Sequence, residues 1–301
     1  MKKLFLVLIP ALLVSCAAKE SNTENPRGVY KMTKLIGKNG EIAAPFDQYQ
    51  ICTDSITMFA AIENDGQIYI AGRHYDHVLN YTGEYPKDSA KIRIYDSNSK
   101  GFTLKWWSEY YGHAFFPEND WCTEIYEKDL YSASAKPFFE VLMKSPESDG
   151  TDIPYLGTWK RIEHITSFRK ENEEKTYTSK GETTVNAKDF LEELKNNKKS
   201  IDEMIANSKE QDLGFIVFSP TNKFTFSPAS SSIMRGNSTN IQHNKDNSYV
   251  DEAVSVKVVW LSENCIATFD EIANVSMVDI LYRCNEEKPL INLIASHYLP
   301  K

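Results

Sequence analysis

Beyond residue 14 the chain has no apolar run of the ~20 residues that an α-helix needs to cross a hydrocarbon core. It has no basic excess either: 34 Lys and Arg stand against 42 Asp and Glu, a net charge of −8. Nucleic-acid affinity comes largely from lysines and arginines that displace counterions, so no nucleic-acid partner is expected. Cysteine is scarce at five residues, and no spacing among them resembles a zinc site. There is no Gly-x-Ser-x-Gly elbow, no phosphate-cradling glycine loop and no His-Glu-x-x-His. No catalytic residue, metal site or cofactor follows from this sequence. The one histidine cluster is His74-Tyr75-Asp76-His77. On a strand its two histidines would point to opposite faces, and it reads as a solvated loop.

What is present starts at the N-terminus. Lys2-Lys3 precede an apolar run from Leu4 to Val14, and the small Ser15 sits directly before Cys16. A charged start, a short greasy core and a small residue at the cut site make residues 1–15 an export signal. The run Leu13-Val14-Ser15-Cys16 resembles the lipobox of bacterial lipoproteins. That resemblance implies cleavage before Cys16, acylation of its sulfur and new amino terminus with palmitate-type chains, and anchoring of the mature protein to a membrane. Several acyl chains on one residue hold firmly, since each buried methylene adds ~0.8 kcal/mol. Ala17 rather than Asp after the cysteine implies the outer membrane, with the face open. Removing the signal takes two lysines and moves the net charge from −8 to −10. Residues 16–26 are a polar tether.

Four cysteines remain, two in each half, in a compartment where disulfides persist. Pairing within halves gives Cys52-Cys122 and Cys265-Cys284. The second pair has a local argument, because Cys265–Phe269 and Val278–Cys284 read as arms of one hairpin around Ala273-Asn274-Val275. Buried thiols are the alternative.

The clearest signal is an internal repeat. Gly28-Val29-Tyr30-Lys31 returns as Gly157-Thr158-Trp159-Lys160, and Glu124-Ile125-Tyr126 as Ile280-Leu281-Tyr282. Each copy then reaches a Lys-Pro followed by an apolar cluster, at Lys136-Pro137 and Lys288-Pro289. Proline suits the first turn of a helix, so both segments read as short helices, each packed on its own half. The second copy is 23 residues longer from Gly to Pro, 132 positions against 109. The excess falls near residues 186–209, where Phe190, Leu191, Leu194, Ile201, Met204 and Ile205 recur at helical spacing. Such a stripe is expected to cover core.

Between these landmarks the first half alternates as strands at 29–35, 48–52, 55–60, 67–73, 91–95, 101–107 and 121–127, separated by turn residues. The second half repeats the pattern at 158–165, 215–218, 223–226, 253–261, 265–269 and 278–283. Many short strands with tight turns favour a meander that curls into a barrel or sandwich.

A Gly-x-Trp-Lys opening, a strand meander and a terminal helix together resemble the lipocalin-like families, in particular the two-domain lipocalin-like lipoproteins of Bacteroidetes. The resemblance implies a mainly β chain of two tandem lipocalin-like antiparallel β-barrel domains, 27–144 and 155–301. A linker at 145–154 joins them, each ends in a short helix, and the second carries a helical insertion. It also implies that Trp159, with Arg283 over its ring, closes one end of the second barrel. Tyr30 stands in the corresponding place of the first copy, with Lys128 as its available cation. These are fold residues rather than a site.

The most unusual local feature is aromatic. Trp106, Trp107, Tyr110 and Tyr111, then Trp121, crowd one segment of the first half, near Glu109, Glu118 and Asp120. Such a segment either packs against the second half or, exposed at a rim, grips sugar rings or a protein partner, and these five are the candidate ligand-binding residues. Asp54-Ser55-Ile56 and Asp88-Ser89-Ala90 resemble an O-glycosylation acceptor motif. The whole reads as a non-enzymatic envelope lipoprotein that binds an apolar molecule, a glycan or an envelope protein. An enzyme acting on a small or lipidic substrate in a barrel cavity is the alternative.

Overall fold

The computed structural model describes residues 27–37, 39–43, 47–53, 56–63, 66–71, 92–98, 100–107, 121–145, 152–171, 173–208, 213–230 and 233–298. Cys16, the signal, the tether, His74, His77, Ser55, Ser89, Tyr110 and Tyr111 lie outside them, as do the side chains of Trp106, Trp107 and Trp121. The protein is mainly β, with four helices among the described residues.

The first half supplies β1 (Gly28–Gly37), β2 (Gly40–Ile42), β3 (Asp47–Cys52), β4 (Thr57–Ile62), β5 (Ile68–Ala71), β6 (Ile92–Asn98), β7 (Gly101–Trp107), β8 (Trp121–Lys128) and helix α1 (Lys136–Met143). The second half opens with β9 (Gly157–Lys170), β10 (Glu173–Thr178) and β11 (Gly181–Thr183). The insertion then forms two helices, α2 (Ala187–Lys195) and α3 (Lys198–Asn207), rather than one. The break falls at Asn196-Asn197, because Asn197 turns its side chain to cap the next helix by accepting from the Ser200 N–H. Then come β12 (Phe215–Phe218), β13 (Asn222–Ser230), β14 (Ile233–Asn244), β15 (Ser248–Asp251), β16 (Val254–Ser262), β17 (Cys265–Ile272), β18 (Val275–Arg283) and α4 (Leu290–Tyr298).

Strands β9, β12, β13, β14, β15, β16, β17 and β18 pair in that order, and β18 pairs back onto β9. Every pairing is antiparallel, and the eight strands close a barrel. The first half follows the same plan around β1, which takes β2 and β3 on one edge and β8 on the other. Among the described residues its sheet runs β5-β4-β3-β1-β8-β7-β6 and does not close on itself. The repeated glycine has a backbone reason: Gly28 and Gly157 open β1 and β9 at φ +123° and +112°, a region that side chains disfavour.

The free edge of β5 adds onto the barrel instead, pairing Ile68–Ala71 with Ile233–Gly236 of β14. Behind this seam lies a core common to both halves. Tyr49, Ile51, Met58, Ile68 and Ile70 pack with Phe215, Phe224, Phe226 and Met234. Both helices that follow Lys-Pro belong to that common core. Phe139 of α1 lies 4.8 Å from Tyr49, and Phe138 lies 5.5 Å from Phe224, ring centre to ring centre. The expectation that each helix packs on its own half is therefore corrected: their apolar faces seal the junction. Gly236 marks the tightest point of the seam, since a Cβ there would stand 2.5 Å from Ile68 Cγ2 and 2.9 Å from the Phe226 ring. Gly236→Val is expected to cost ~1–3 kcal/mol by overpacking. A thermal melt would show the loss, and Ile68→Ala in the same chain should recover part of it.

The four cysteines among the described residues are thiols in the structure. Cys52 stands opposite Gly28, whereas Cys122 precedes Thr123, which stands opposite Ile36. Eight residues of β1 thus separate their levels, ~26 Å at strand spacing, far beyond disulfide reach. Cys265 stands opposite Tyr282 rather than Cys284. Cys284 lies past the end of β18, where its N–H donates to the Thr158 carbonyl at 3.0 Å and its side chain packs on the common core. The hairpin stands where the sequence places it, with its register shifted by two residues. Burial pushes the Cys265 and Cys284 thiols up to about 12, the latter helped by Glu286. A thiol reagent should label the native protein slowly and the denatured protein promptly at all four, and reductant should leave the melting temperature unchanged.

Candidate functional site

The two ends of the barrel differ in chemistry. At the β9 N-terminal end, Trp159 is fully buried among Tyr155, Phe218, Tyr249, Ile266 and Leu281. Its Nε1 donates to the Tyr155 carbonyl at 2.9 Å. Arg283 stands opposite Trp159 in the ladder with its guanidinium 4.2 Å from the ring centre, and it donates to the carbonyls of Leu156 and Pro154 at 3.2 and 2.7 Å. Burial lowers the Arg283 pKa. In the first half Tyr30 is likewise fully buried, donates to the Arg27 carbonyl at 3.2 Å and stands opposite Lys128. Burial raises its hydroxyl to about 12.

Moving toward the other end, the inward positions turn polar. Side chains alternate along a strand, so the register places Arg161, Lys223, Thr239, Asp251, Thr268, Asp270 and Asp279 on the inner wall. A bulge in the β9–β18 ladder decides which residues of β9 join them. Leu281 stands opposite Arg161, but Ile280 stands opposite Glu163, so Ile162 is the extra residue. Ile162 and Glu163 both turn outward, and His164 comes to face Asp279.

The Asp279 carboxylate forms an ion pair with Arg161, whose Nε lies 2.9 Å away and whose Nη2 donates at 3.4 Å, and it lies 2.7 Å from the His164 Nδ1. Burial pushes Asp279 up, but Arg161 and the His164 hydrogen bond outweigh it and hold the group below the ordinary carboxylate range. The other imidazole nitrogen, His164 Nε2, lies 2.9 Å from the Thr166 hydroxyl. Arg161 also reaches Ser227 at 3.4 Å. Lys223 pairs with Asp251 and sits 5.6 Å from the centre of the Tyr249 ring. Asp270 has no hydrogen-bond or ion-pair partner among the described residues. Burial raises it to about 6, assisted by Asp279 and Asp251 and opposed by Lys223 and His164.

Above the charges stands an apolar rim. Phe168, Tyr177 and Ile272 are 47%, 42% and 45% exposed, on strand ends that rise past the charged wall. The Phe168 and Tyr177 rings lie 6.2 Å apart. Large exposed side chains gathered at one place mark interaction sites more often than isolated ones do.

No family model, curated protein or solved structure matches this chain. The site is therefore read from its own chemistry.

The insertion is not a lid on this mouth. Ala187, Leu191, Leu194 and Ile201 pack α2 and α3 on the outside of β9, β17 and β18. Between those helices and the β10–β11 hairpin runs a cleft of about 430 Å³, lined by Glu163, Glu193, Glu203, Phe190 and Met204 among others. The Glu163 carboxylate is fully engaged there, accepting from Ser179 N and Oγ at 2.8 Å each and from His164 N at 3.0 Å.

Of the aromatic residues singled out in the sequence, Trp107 and Trp121 stand directly opposite each other in the β7–β8 ladder, with Trp106 opposite Cys122. Nothing further about those five falls within the described residues. None of the mouth residues was singled out. The available signal was a pair of charged inward positions, His164 and Asp279, inside runs that otherwise read as core strand. Among the described residues no group of three or more His, Cys, Asp or Glu has metal-binding geometry, and no helix is long and apolar enough to cross a membrane.

Proposed function

We propose that the chain is a lipid-anchored protein of the bacterial cell envelope, of the two-domain lipocalin-like type. Its function is to bind a small molecule, without turnover, at the open mouth of the second barrel. The anchor part rests on Leu13-Val14-Ser15-Cys16 behind a short apolar signal, and Ala17 favours the outer membrane. The observation that carries the binding part is the stacking of three chemistries along one barrel. An apolar floor lies under Trp159, an ionic wall surrounds Asp279 and Asp270, and a rim exposes Phe168, Tyr177 and Ile272. Ligand sites combine apolar contact area with a few placed polar groups, and small barrels take ligands at their mouths.

Full-length protein purified from its native membrane should carry a small molecule detectable by mass spectrometry, and a Phe168→Ala, Tyr177→Ala, Ile272→Ala triple variant should lose it. An empty wild type, or a triple variant that keeps the compound, would overturn the assignment. The same spectra should show acyl mass on the peptide that begins at Cys16, and Cys16→Ser should abolish it.

One observation favours an enzyme instead. His164 bridges Asp279 at 2.7 Å and Thr166 at 2.9 Å, so a carboxylate orients an imidazole that in turn holds a hydroxyl. Hydrolysis of a small ester that disappears in both His164→Gln and Thr166→Val would carry that reading.

A further inference from the structure

The inner wall is built from charges that largely satisfy each other. Asp279 is matched by Arg161 and Asp251 by Lys223, with His164 on the same Asp279 oxygen, Oδ1, as the Arg161 Nε. Asp270 is the carboxylate left over. It stands on β17 diagonally across from Asp279, since Thr268 faces Asp279 and Asp270 faces Met277. The groups acting on it are Asp279 from β18, His164 from β9, Lys223 from β13 and Asp251 from β15, while β16, its other ladder neighbour, brings only the apolar Val256 alongside. Arg235 faces the same way from β14 but is exposed at the strand's outer end. On the wall beside Lys223, the Thr239 hydroxyl is shut off from solvent without a partner. Among the described residues, then, the inner wall holds one carboxylate with no ion pair and one hydroxyl with no hydrogen bond.

We infer that the ligand is an organic cation, an ammonium group on an apolar body, with Asp270 as its counter-ion and Phe168 and Tyr177 around its apolar part. The inference rests on the mouth being the binding site. An anion would meet a wall in which the carboxylates outnumber Arg161 and Lys223 by one. A neutral ligand would leave Asp270 unpaired and would forgo the attraction of a cation to ring faces. A positive charge completes the set and draws Asp270 back toward its ionised form.

The pH dependence follows in sign. Asp270, raised to about 6, is neutral in more acid solution, so a cation binding there must displace a proton. Affinity should therefore rise with pH and level off above 6, with roughly tenfold between pH 5 and pH 7.5.

Three probes of matched size test this by calorimetric titration of the full-length protein in detergent: 2-phenylethylamine, 2-phenylethanol and 3-phenylpropionate. The amine should bind at least tenfold tighter than the alcohol at pH 7.5, and the acid weakest. Asp270→Asn should reduce the amine to the level of the alcohol and abolish the pH step. His164→Gln should keep that step, which separates Asp270 from the histidine. Phe168→Ala should weaken amine and alcohol alike. Equal binding of amine and alcohol, an Asp270→Asn protein that binds the amine as the wild type does, or no binding of any probe would each overturn the cation assignment. In those cases a co-purifying compound lost from the rim variant would still support the mouth as the site. Amine binding that none of these variants changes would place the ligand elsewhere and remove both readings.

Discussion

Replacing Trp159 with alanine is expected to destabilise the protein by about 4 kcal/mol, within the range for emptying a fully buried large aromatic site. The side chain has no solvent exposure, and its loss would remove three things together. The apolar floor loses its largest member, the Tyr155 carbonyl loses its indole donor, and Arg283 loses the ring beneath its guanidinium. Arg283 should then matter less. In a double-mutant cycle of Trp159→Ala with Arg283→Ala, the pair should cost less than the sum of the singles by about 1 kcal/mol, the size of a partly desolvated cation–π contact. Denaturant unfolding of the four proteins gives the answer. Strict additivity would mean that Arg283 acts only through its bonds to Leu156 and Pro154.

The second large effect is expected at Asp279. Asparagine there keeps the volume but leaves Arg161 beside a neutral group in a wall that is 15% to 18% exposed at these side chains. Breaking a mostly buried ion pair from one side costs several kcal/mol, and the remaining exposure argues for the lower end, about 2 to 3 kcal/mol at neutral pH. The pH dependence works in one direction. The folded carboxylate titrates below its unfolded value, so its contribution is present above the ordinary aspartate range and disappears as pH falls through the lowered pKa. Wild type and Asp279→Asn should therefore converge only in strong acid. Asp270 runs the opposite way: its raised pKa means that the ionised form is carried at a cost above pH 6. Asp270→Asn should melt higher than wild type at pH 8 and show no such gain at pH 4.

The contrast between those two aspartates also shows what the sequence could reveal. Strand β12 was read with both ends in place, because Phe215–Phe218 is apolar on both faces: Ile216 and Phe218 line the barrel while Phe215 and Val217 join the common core. Strand β14 was missed entirely. Its inward positions include Arg235, Asn237 and Thr239, its outward ones include Gly236, and no apolar alternation survives. β9 was stopped at residue 165 because His164, Thr166 and the exposed Phe168 do not look like core. The positions that defeated the pattern are those that line the mouth, where hydrogen bonding and charge replace apolar burial as the reason for facing inward. The bulge at Ile162 is invisible for another reason. It appears only when β18 is laid alongside, and a shift of one residue reverses which side chains face in. The likeness of Gly28 and Gly157, by contrast, is legible because both meet the same backbone requirement.

The seam between β5 and β14 bears on how the chain can be cut. A strand edge with unpaired amides and carbonyls is a template for clumping with other chains. Here β14 covers the edge of β5. Expressed alone, residues 155–301 would uncover the outer edge of β14 together with Phe224, Phe226 and Met234, and residues 27–144 would uncover the matching edge of β5. Each fragment would bare a surface that the other covers in the whole chain, so each should self-associate when alone and assemble with the other when the two are made together.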